Sequence, residues 1–395
     1  MGAGPQQLHV RMRGRSASEA HRASSPLELL FDLTFVVAVS TLAGQLAHEI
    51  LLGHAAFGLG SYLQVFFAIW WAWMNFTWFA SAFDTDDALY RVFTLVQMAG
   101  VLVLAAGVPA AFEHGNFLAI TIGYVIMRIS MVAQWMRAGL EHPEARRAAW
   151  GYAGGIFVVQ LGWVLRLFLP LATATVSFLV LVVAELSVPV WAEWRVRTTW
   201  HPGHIAERYA LFVIILLGES VAAATVAMQR ALAASGVTPQ LVAIGVAGLV
   251  MLFGIWWLYF LEPAEESLRR RPGWSYFWGY GHYVLFAAIA AVGVGLEVAV
   301  ESTGRDVGIG SVGAGYALSI PLAVIFVVLY IVTRPMGDPG QVPALALIPG
   351  AVLALLVPLM GPVIGVTGIV VALAIVAALV VGVTVGLRQR TARLA

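Results

Sequence analysis

Apolar stretches of about 20 residues recur from one end of this sequence to the other, and they constrain its fold more than any other feature. A helix of about that length covers the roughly 30 Å hydrocarbon core of a bilayer. Of the 395 residues, 61% are hydrophobic and only 11% are charged, unlike an ordinary soluble domain. The sequence therefore predicts an all-α, polytopic membrane helix bundle, with the lipid bilayer as its first partner.

The apolar stretches divide into twelve predicted transmembrane helices, separated by prolines and short loops. Their predicted ranges are 27–50, 60–82, 89–109, 117–139, 148–169, 171–194, 208–228, 240–261, 275–300, 312–333, 342–360 and 362–387. These helices define a basic tail, a first six-helix repeat, a linker, a second six-helix repeat and a second tail, over residues 1–26, 27–194, 195–207, 208–387 and 388–395.

Arginine is concentrated on one side of the predicted membrane. The tails and alternate loops carry Arg11, Arg13, Arg15, Arg22, Arg137, Arg146, Arg147, Arg195, Arg197, Arg269, Arg270, Arg271, Arg388, Arg390 and Arg393. The opposite side carries only Arg166, Arg230 and Arg305. By the positive-inside rule, both termini are expected in the cytoplasm. A cleaved signal peptide is not expected, because Glu28 and Asp32 interrupt what would be its apolar region.

The six-plus-six division is suggested by an internal similarity. Residues 67–76, FAIWWAWMNF, and residues 253–262, FGIWWLYFLE, are identical at four of ten positions. They lie in predicted helices 2 and 8, so a duplication of six helices would place two parallel repeats in the membrane. The alternative is that tryptophan pairs in apolar helices coincide by chance.

Charged and polar side chains within or beside these helices are the candidate functional residues. Burying a charge in a membrane is costly, so such a residue usually faces a partner or a wet cavity. The candidates for a substrate or proton pathway are Glu28, Asp32, Asn75, Asp84, Arg91, Arg128, Glu185, His204, Glu207, Arg208 and Glu219.

The deepest charges are Arg128, Glu185 and Glu219. Arginine keeps its proton, so Arg128 is expected to pair with Glu185 or with Glu219. One carboxyl is then left over, and it would be able to load and release a proton. The alternative is a fixed ion-pair network that only sets helix packing.

Glu28 and Asp32 are four residues apart and share a helix face. As functional groups they would form a gate or cation site at the cytoplasmic mouth. The alternative has Glu28 reaching the membrane surface and Asp32 held by a hydrogen bond or a salt bridge to Arg91.

Metal and cofactor chemistry receives little support. His201, His204 and Glu207 are spaced three residues apart, but Pro202 and Gly203 are expected to break the helix that a metal site there would need. The acidic run DTDD at 84–87 is similar to motifs that hold magnesium diphosphate, without a second such motif. No metal, cofactor or nucleic-acid partner is expected. Most of the tryptophans are expected to form an interfacial belt, and the alternative for a minority of them is that they line a substrate pocket.

Three motifs together resemble the bacterial low temperature requirement A (LtrA) family. They are SPLELLFDLTFVVAVS near the start, the tryptophan-rich helix 2 ending in FDTDD, and HIAERYALFVIILLGESV. The resemblance covers the first seven helices well and implies a bacterial inner-membrane protein. It implies characteristic polar residues at Glu28, Asp32, His204, Glu207, Arg208 and Glu219. The family name records a growth phenotype in the cold and implies no settled activity.

The function expected from these features is secondary, proton-coupled transport of a small solute or ion. One alternative is a non-transporting protein that senses or organises lipid in cold adaptation, and a weaker one is an intramembrane lipid-modifying enzyme. With no cysteine and no lysine, thiolate and Schiff-base catalysis are excluded, and no enzyme activity is expected. The oligomeric state is left open.

Overall fold

A computed structural model describes residues 8–16, 19, 23–261, 264–304, 308–336 and 344–394. These residues form helices and connecting segments and contain no β-strand. Arg22, Glu262 and Arg305, which entered the predictions above, lie outside the described residues.

The described residues form thirteen α-helices. They are α1 (Pro26–Leu51), α2 (Ala55–Phe83), α3 (Ala88–His114), α4 (Leu118–Glu141), α5 (Arg146–Arg166), α6 (Ala174–Ala192), α7 (Pro202–Ser235), α8 (Pro239–Phe260), α9 (Ala264–Arg270), α10 (Ser275–Gly304), α11 (Gly310–Thr333), α12 (Ala344–Leu356) and α13 (Gly361–Leu394).

Eleven helical stretches of the described chain are long and apolar enough to cross a bilayer. The last of them, Ala344–Arg390, includes α12 and most of α13. Within α13, Gly365 has a positive φ of 65° and kinks the chain. Large apolar side chains such as Leu33, Val37 and Val180 are exposed on the helices, as expected of surfaces that face lipid. The protein is therefore a multi-pass membrane protein. The count of twelve spans and the internal repeat stay predictions.

At two prolines the helix boundaries differ from the sequence prediction. Pro109 was expected to end helix 3, but it lies inside α3, which continues to His114 and ends with Gly115 in the left-handed conformation. Pro202 was expected to break a helix, yet α7 begins at this residue. Proline suits the first position of a helix, because its missing N–H would have no partner inside the helix. His201 then caps α7, since its Nδ1 accepts a hydrogen bond from the His204 N–H at 3.1 Å.

The chain separates into two compact units. Unit 1 contains Met1–Leu42 and Gln64–Arg208, and unit 2 contains Ala43–Leu63 and Tyr209–Ala395. In unit 1, α4 packs between α3 and α5, and α6 packs on α5. In unit 2, α11 packs on α10, α12 and α13, and α8 packs on α13. The five segments predicted from the sequence are not tested by this division.

Unit 1 depends on a close approach of α3 and α4 at a pair of glycines. A Cβ added to Gly123 would lie 2.5 Å from the carbonyl oxygen of Gly100 and 2.5 Å from the backbone nitrogen of Leu104. Both are backbone atoms, so neither is free to rotate away. Small residues allow membrane helices to approach this closely, and the contact fixes how α3 and α4 pack.

The N-terminal segment is held against the short connection between α2 and α3. The Asp87 carboxylate caps α3 by accepting the Tyr90 N–H at 2.8 Å, and it accepts the Val10 N–H at 2.8 Å. Arg137 of α4 forms a salt bridge to Asp87 at 2.5 Å and donates to the Val10 carbonyl at 2.6 Å. Met12 is fully buried. The buried Asp87–Arg137 pair thus binds both backbone groups of Val10.

Replacing Gly123 by alanine is expected to destabilise unit 1 by about 1–3 kcal/mol, because the added methyl group forces α3 and α4 apart. The thermal unfolding temperature of the detergent-purified protein measures the effect. Gly154→Ala is the control, since a Cβ at Gly154 meets nothing within 4 Å. Equal unfolding temperatures for the two variants would contradict the packing argument.

Asp87→Asn is expected to lower the stability by about 2 kcal/mol at pH 7, because charged hydrogen bonds are lost. Burial alone would raise the pKa of Asp87, but the hydrogen bonds from Arg137 and the Val10 N–H outweigh it and lower the pKa to about 2. The stabilisation is therefore present above about pH 4, near the ordinary pKa, and is lost as the pH falls through 2.

Thermal unfolding of wild type and Asp87→Asn between pH 7 and pH 2.5 checks this expectation. The difference between the two proteins should be constant down to about pH 4 and shrink below it. Asp86→Asn is the control, because Asp86 forms a more exposed salt bridge to Arg91 at 2.8 Å. A wild-type advantage that grows on acidification would contradict the assignment.

Candidate functional site

The start of α1 places Glu28 inside the protein. Ser25 and Glu28 form a reciprocal cap: the Ser25 Oγ accepts the Glu28 N–H at 3.3 Å, and the Glu28 Oε2 accepts the Ser25 N–H at 2.8 Å. This is the capping box that Ser-x-x-Glu forms at a helix N-terminus, with Pro26 at the first helical position. The cap fixes one carboxylate oxygen of Glu28 and leaves Oε1 directed at α7.

Glu28 and Asp32 on α1 meet His204 and Arg208 on the first turns of α7, all within unit 1. The Glu28 Oε1 lies 3.0 Å from the His204 Nε2 and 3.0 Å from the Arg208 Nη1. The Asp32 Oδ1 lies 2.5 Å from the Arg208 Nη2. Each helix contributes two residues four positions apart, so both pairs lie on a single helix face. We call these four residues the α1–α7 cluster.

α2 closes the cluster from a third direction. The Trp73 indole N–H donates to the Asp32 Oδ1 at 2.7 Å, and the Arg208 guanidinium carbon lies 6.0 Å from the ring centre of Phe76. All four residues of the cluster are at most 1% exposed. The second oxygen of Asp32, Oδ2, is also buried and has no hydrogen-bond partner in the described part of the chain.

The charges of the α1–α7 cluster balance only with one additional proton. Glu28 and Asp32 supply two negative charges when ionised, and Arg208 supplies one permanent positive charge. His204 supplies the second positive charge only when it carries a proton on both ring nitrogens. An uncompensated charge inside a low-dielectric region is strongly unfavourable. A single proton, on His204 or on a carboxylate, is therefore what makes this cluster neutral.

A second buried cluster surrounds Glu185 of α6. The Arg128 Nη2 lies 3.1 Å from the Glu185 Oε2. Three neutral donors also reach this carboxylate: Trp71 at 2.7 Å, Tyr124 at 2.8 Å and Trp163 at 3.1 Å. We call these five residues the Arg128 network. It contains one cation and one anion, so it is neutral without a mobile proton.

The prediction that Arg128 pairs with Glu185 or Glu219 is confirmed for Glu185. Glu219 lies on the part of α7 that belongs to unit 2, is half-buried, and forms no hydrogen bond or ion pair with the residues that the structure describes. The carboxyl that the sequence analysis expected to remain without an arginine partner is thus Glu219, and no described cation lies within ion-pair distance of it.

Of the alternatives considered for helix 1, a hydrogen bond to Asp32 is confirmed by the Trp73 indole, and two others are wrong. Glu28 is buried rather than exposed at a surface, because its cap and its contacts with α7 hold it inside. Asp32 pairs with Arg208, whereas Arg91 forms its salt bridge with Asp86. A metal-cation site between Glu28 and Asp32 is equally disfavoured, since the guanidinium of Arg208 already occupies the position between the two carboxylates.

The remaining candidate residues have local roles. Asn75 donates to the Trp71 carbonyl at 2.8 Å within α2. Asp84 forms a salt bridge with Arg15 at 3.3 Å. Glu207 accepts the Ser24 N–H at 3.3 Å. These residues are outside both buried clusters.

The acidic run at 84–87 and the histidines of α7 have structural partners. Each aspartate of the run contacts an arginine of its own: Arg15, Arg91 or Arg137. His201 caps α7, and its Nε2 lies 2.8 Å from the Glu19 carbonyl oxygen. Among the described residues, no group of three or more histidine or acidic side chains is arranged to hold a metal ion.

The tryptophans of α2 are members of the candidate site that the sequence analysis did not identify. An interfacial belt was expected, but Trp70, Trp71 and Trp73 are almost completely buried. Trp71 donates to Glu185 and Trp73 donates to Asp32. Residues two positions apart on a helix point in nearly opposite directions, so α2 separates the two clusters and contributes a donor to each. The acidic residues of the neighbouring helices could have indicated the role of these tryptophans, because a buried carboxylate needs hydrogen-bond donors.

Glu185→Gln is expected to destabilise the protein by about 3–5 kcal/mol, because it leaves Arg128 buried without its counter-charge. Glu219→Gln removes the same charge from a half-buried site without a described partner and is expected to change the stability by less than about 1 kcal/mol. Thermal unfolding in detergent compares the two variants. A larger loss for Glu219→Gln would contradict the pairing.

Comparisons with known proteins agree with the resemblance seen in the sequence. The model of the family described as bacterial low temperature requirement A protein (LtrA) matches residues 23–384. An uncharacterized protein of Rhizobium meliloti (strain 1021) is 26% identical over 323 residues, which are 73% of this chain and 72% of that protein. No solved structure matches. Because the family model spans both buried clusters and most of the chain, this protein belongs to the LtrA family of bacterial membrane proteins.

Proposed function

We propose that this protein is a secondary carrier in which the α1–α7 cluster loads and releases one proton during each transport cycle. The observation that supports it is the charge of the cluster: two carboxylates, one arginine and one histidine, all buried. Such a set is neutral with one proton and negative without it. Proton loss therefore changes the stability of the buried arrangement, which is what coupling a proton to a conformational change requires.

The proton has a defined place in this proposal. His204 shares it with the Glu28 Oε1, since the two atoms are 3.0 Å apart. Arg208 stays charged and holds Asp32 and Glu28 on one side of α7. When the proton leaves, the cluster carries an uncompensated negative charge, and separation of α1 from α7 with entry of water becomes favourable. His204 is thus the proton-carrying group, and Arg208 is the positioning group.

The proposed architecture has twelve membrane spans in two parallel repeats of six. Both termini lie in the cytoplasm, and the protein resides in the bacterial inner membrane. The positive-inside distribution of arginine supports this orientation. The partners proposed are the bilayer, a small solute or ion and protons. No cofactor and no nucleic acid takes part, and the protein acts as a carrier rather than as an enzyme.

A second candidate function is the organisation of lipid without transport. It is favoured by an apolar groove of about 510 Å³ in unit 2, lined by α7, α8 and α10. Its walls include Val242, Val246 and Leu249, which are exposed, and its only polar lining residues are Thr225 and Gln229. A groove of this chemistry suits a lipid acyl chain. In that case the two charged clusters would only hold helices together.

His204→Gln is expected to reduce proton flux at least tenfold, because glutamine still donates a hydrogen bond to Glu28 but cannot carry the proton. Flux is measured in sealed liposomes that contain a pH-sensitive dye, under an imposed voltage, with and without a pool of small metabolites. Thermal unfolding in detergent verifies that the variant is folded.

His282→Gln is the matched control. His282 is also buried, at 2% exposure, but it lies in unit 2 and contacts Tyr259 and the Trp278 carbonyl rather than a carboxylate. Full flux in a folded His204→Gln protein would exclude the proposed proton site. Absence of flux in the wild type, with altered lipid order in the same liposomes, would favour lipid organisation.

A further inference from the structure

A small cavity lies in unit 1 beside the Arg128 network. Its volume is about 40 Å³, and it is lined by residues of α2, α4, α5 and α6 together with Phe117. Since a water molecule needs roughly 10–15 Å³ on this measure, the cavity has room for about three water-sized groups. A ligand of a few heavy atoms fits there, whereas a sugar or an amino acid with a large side chain does not.

Among the described residues that line this cavity, Arg166, the last residue of α5, is the only charged one. Arg166 forms no ion pair with any acidic residue in the described part of the chain. Its Nη2 is 3.2 Å from the Ala174 carbonyl oxygen and 3.5 Å from the Gln64 Oε1, and its buried Nε has no hydrogen-bond partner there. This positive charge is therefore not compensated by a carboxylate, unlike Arg128 and Arg208.

Two aromatic rings of the cavity wall lie beside the half-buried guanidinium of Arg166. Its central carbon is 5.5 Å from the ring centre of Phe117 and 5.7 Å from that of Phe178. Rings that already contact a cation through their faces offer little to a second cation. The Thr121 hydroxyl also lines the cavity and forms no hydrogen bond with the described residues, so it adds a neutral donor.

From this arrangement we infer that the Arg166 cavity binds a small monovalent anion such as chloride, nitrate or formate. The anion supplies the counter-charge that Arg166 lacks, and the Thr121 hydroxyl donates to it. Guanidinium groups bind carboxylate and similar planar anions through paired N–H groups, which favours nitrate and formate over chloride. The site is distinct from the α1–α7 cluster.

Two side chains that line the cavity also contact Glu185. Tyr124 and Trp163 line the cavity, and both donate hydrogen bonds to Glu185. An anion at Arg166 would lie against both rings and alter the Arg128 network. The idea that this anion is the substrate of the carrier rests on the proposed function. The idea that the anion binds at Arg166 does not.

Anion-dependent stability of the purified protein in detergent tests the binding site without any gradient. Sodium gluconate, which is too large for the cavity, is replaced at constant ionic strength by sodium nitrate, formate or chloride. A ligand that binds the folded state raises the unfolding temperature. We expect nitrate and formate to raise it in the wild type, and isothermal titration calorimetry to give an affinity at least tenfold weaker in Arg166→Gln.

Arg147→Gln is the matched control, because it removes one exposed arginine from the other end of α5 and should keep the anion effect. Ala68→Leu fills the cavity while retaining Arg166 and should abolish the effect. If Arg166→Gln fails to fold, Arg166→Lys is used instead, because it keeps the positive charge. Arg166→Lys is expected to bind nitrate and formate more weakly than the wild type.

Several results would overturn the proposal. One is an equal rise in unfolding temperature with the anions in wild type and Arg166→Gln. Another is a rise that is retained in folded Ala68→Leu. A third is an equal unfolding temperature of the wild type in nitrate and in gluconate. Transport of these anions across liposome membranes is measured in a separate experiment. Anions that bind but do not cross liposome membranes would leave the site standing and exclude these anions as the carrier's substrate. Proton flux that is independent of these anions would leave the carrier function standing and likewise exclude them as its substrate.

Discussion

The buried guanidinium of Arg208 is the constraint on which the arrangement of unit 1 depends. A permanent charge inside a membrane protein must be neutralised by ionised partners at hydrogen-bond distance. Glu28 and Asp32 meet this need only because α1 and α7 each present residues four positions apart on one face. That geometry requires the Ser25 cap at the start of α1 and the start of α7 at Pro202. The two helix starts therefore place within their first two turns the residues that compensate the interior charge.

The two buried clusters use similar components and have different consequences. In the Arg128 network, one carboxylate receives an arginine and three neutral donors, so its charge is satisfied within the protein. In the α1–α7 cluster, two carboxylates share one arginine, and neutrality depends on a proton. The buried tryptophans of α2 contribute to both, through Trp71 and Trp73. The Arg128 network is suited to fixing helix packing, and the α1–α7 cluster is suited to changing state.

Membership of the LtrA family gains a physical explanation from this geometry. The segments ELLFD and HIAER each place two polar residues four positions apart, and in unit 1 these four residues form the α1–α7 cluster. Glu207, which the resemblance also implied, accepts a hydrogen bond from the Ser24 N–H, and Glu219 lies in unit 2. The two motifs thus encode the two halves of one ionic cluster. Arg166 and its cavity belong to neither motif.

The sequence by itself determined that this is a multi-pass helical membrane protein, because the length and apolarity of its helices depend only on local composition. It also identified the buried charges, since any charge inside an apolar helix is exceptional. Only the tertiary structure decided their partners: Asp32 and Arg208 are 176 residues apart, and no local pattern distinguishes Arg208 from Arg91 as the cation that reaches Asp32. The burial of Trp71 and Trp73 and the absence of an acidic partner for Arg166 among the described residues were decided in the same way. Partner choice depends on which helix faces meet, and a one-dimensional pattern does not contain that information.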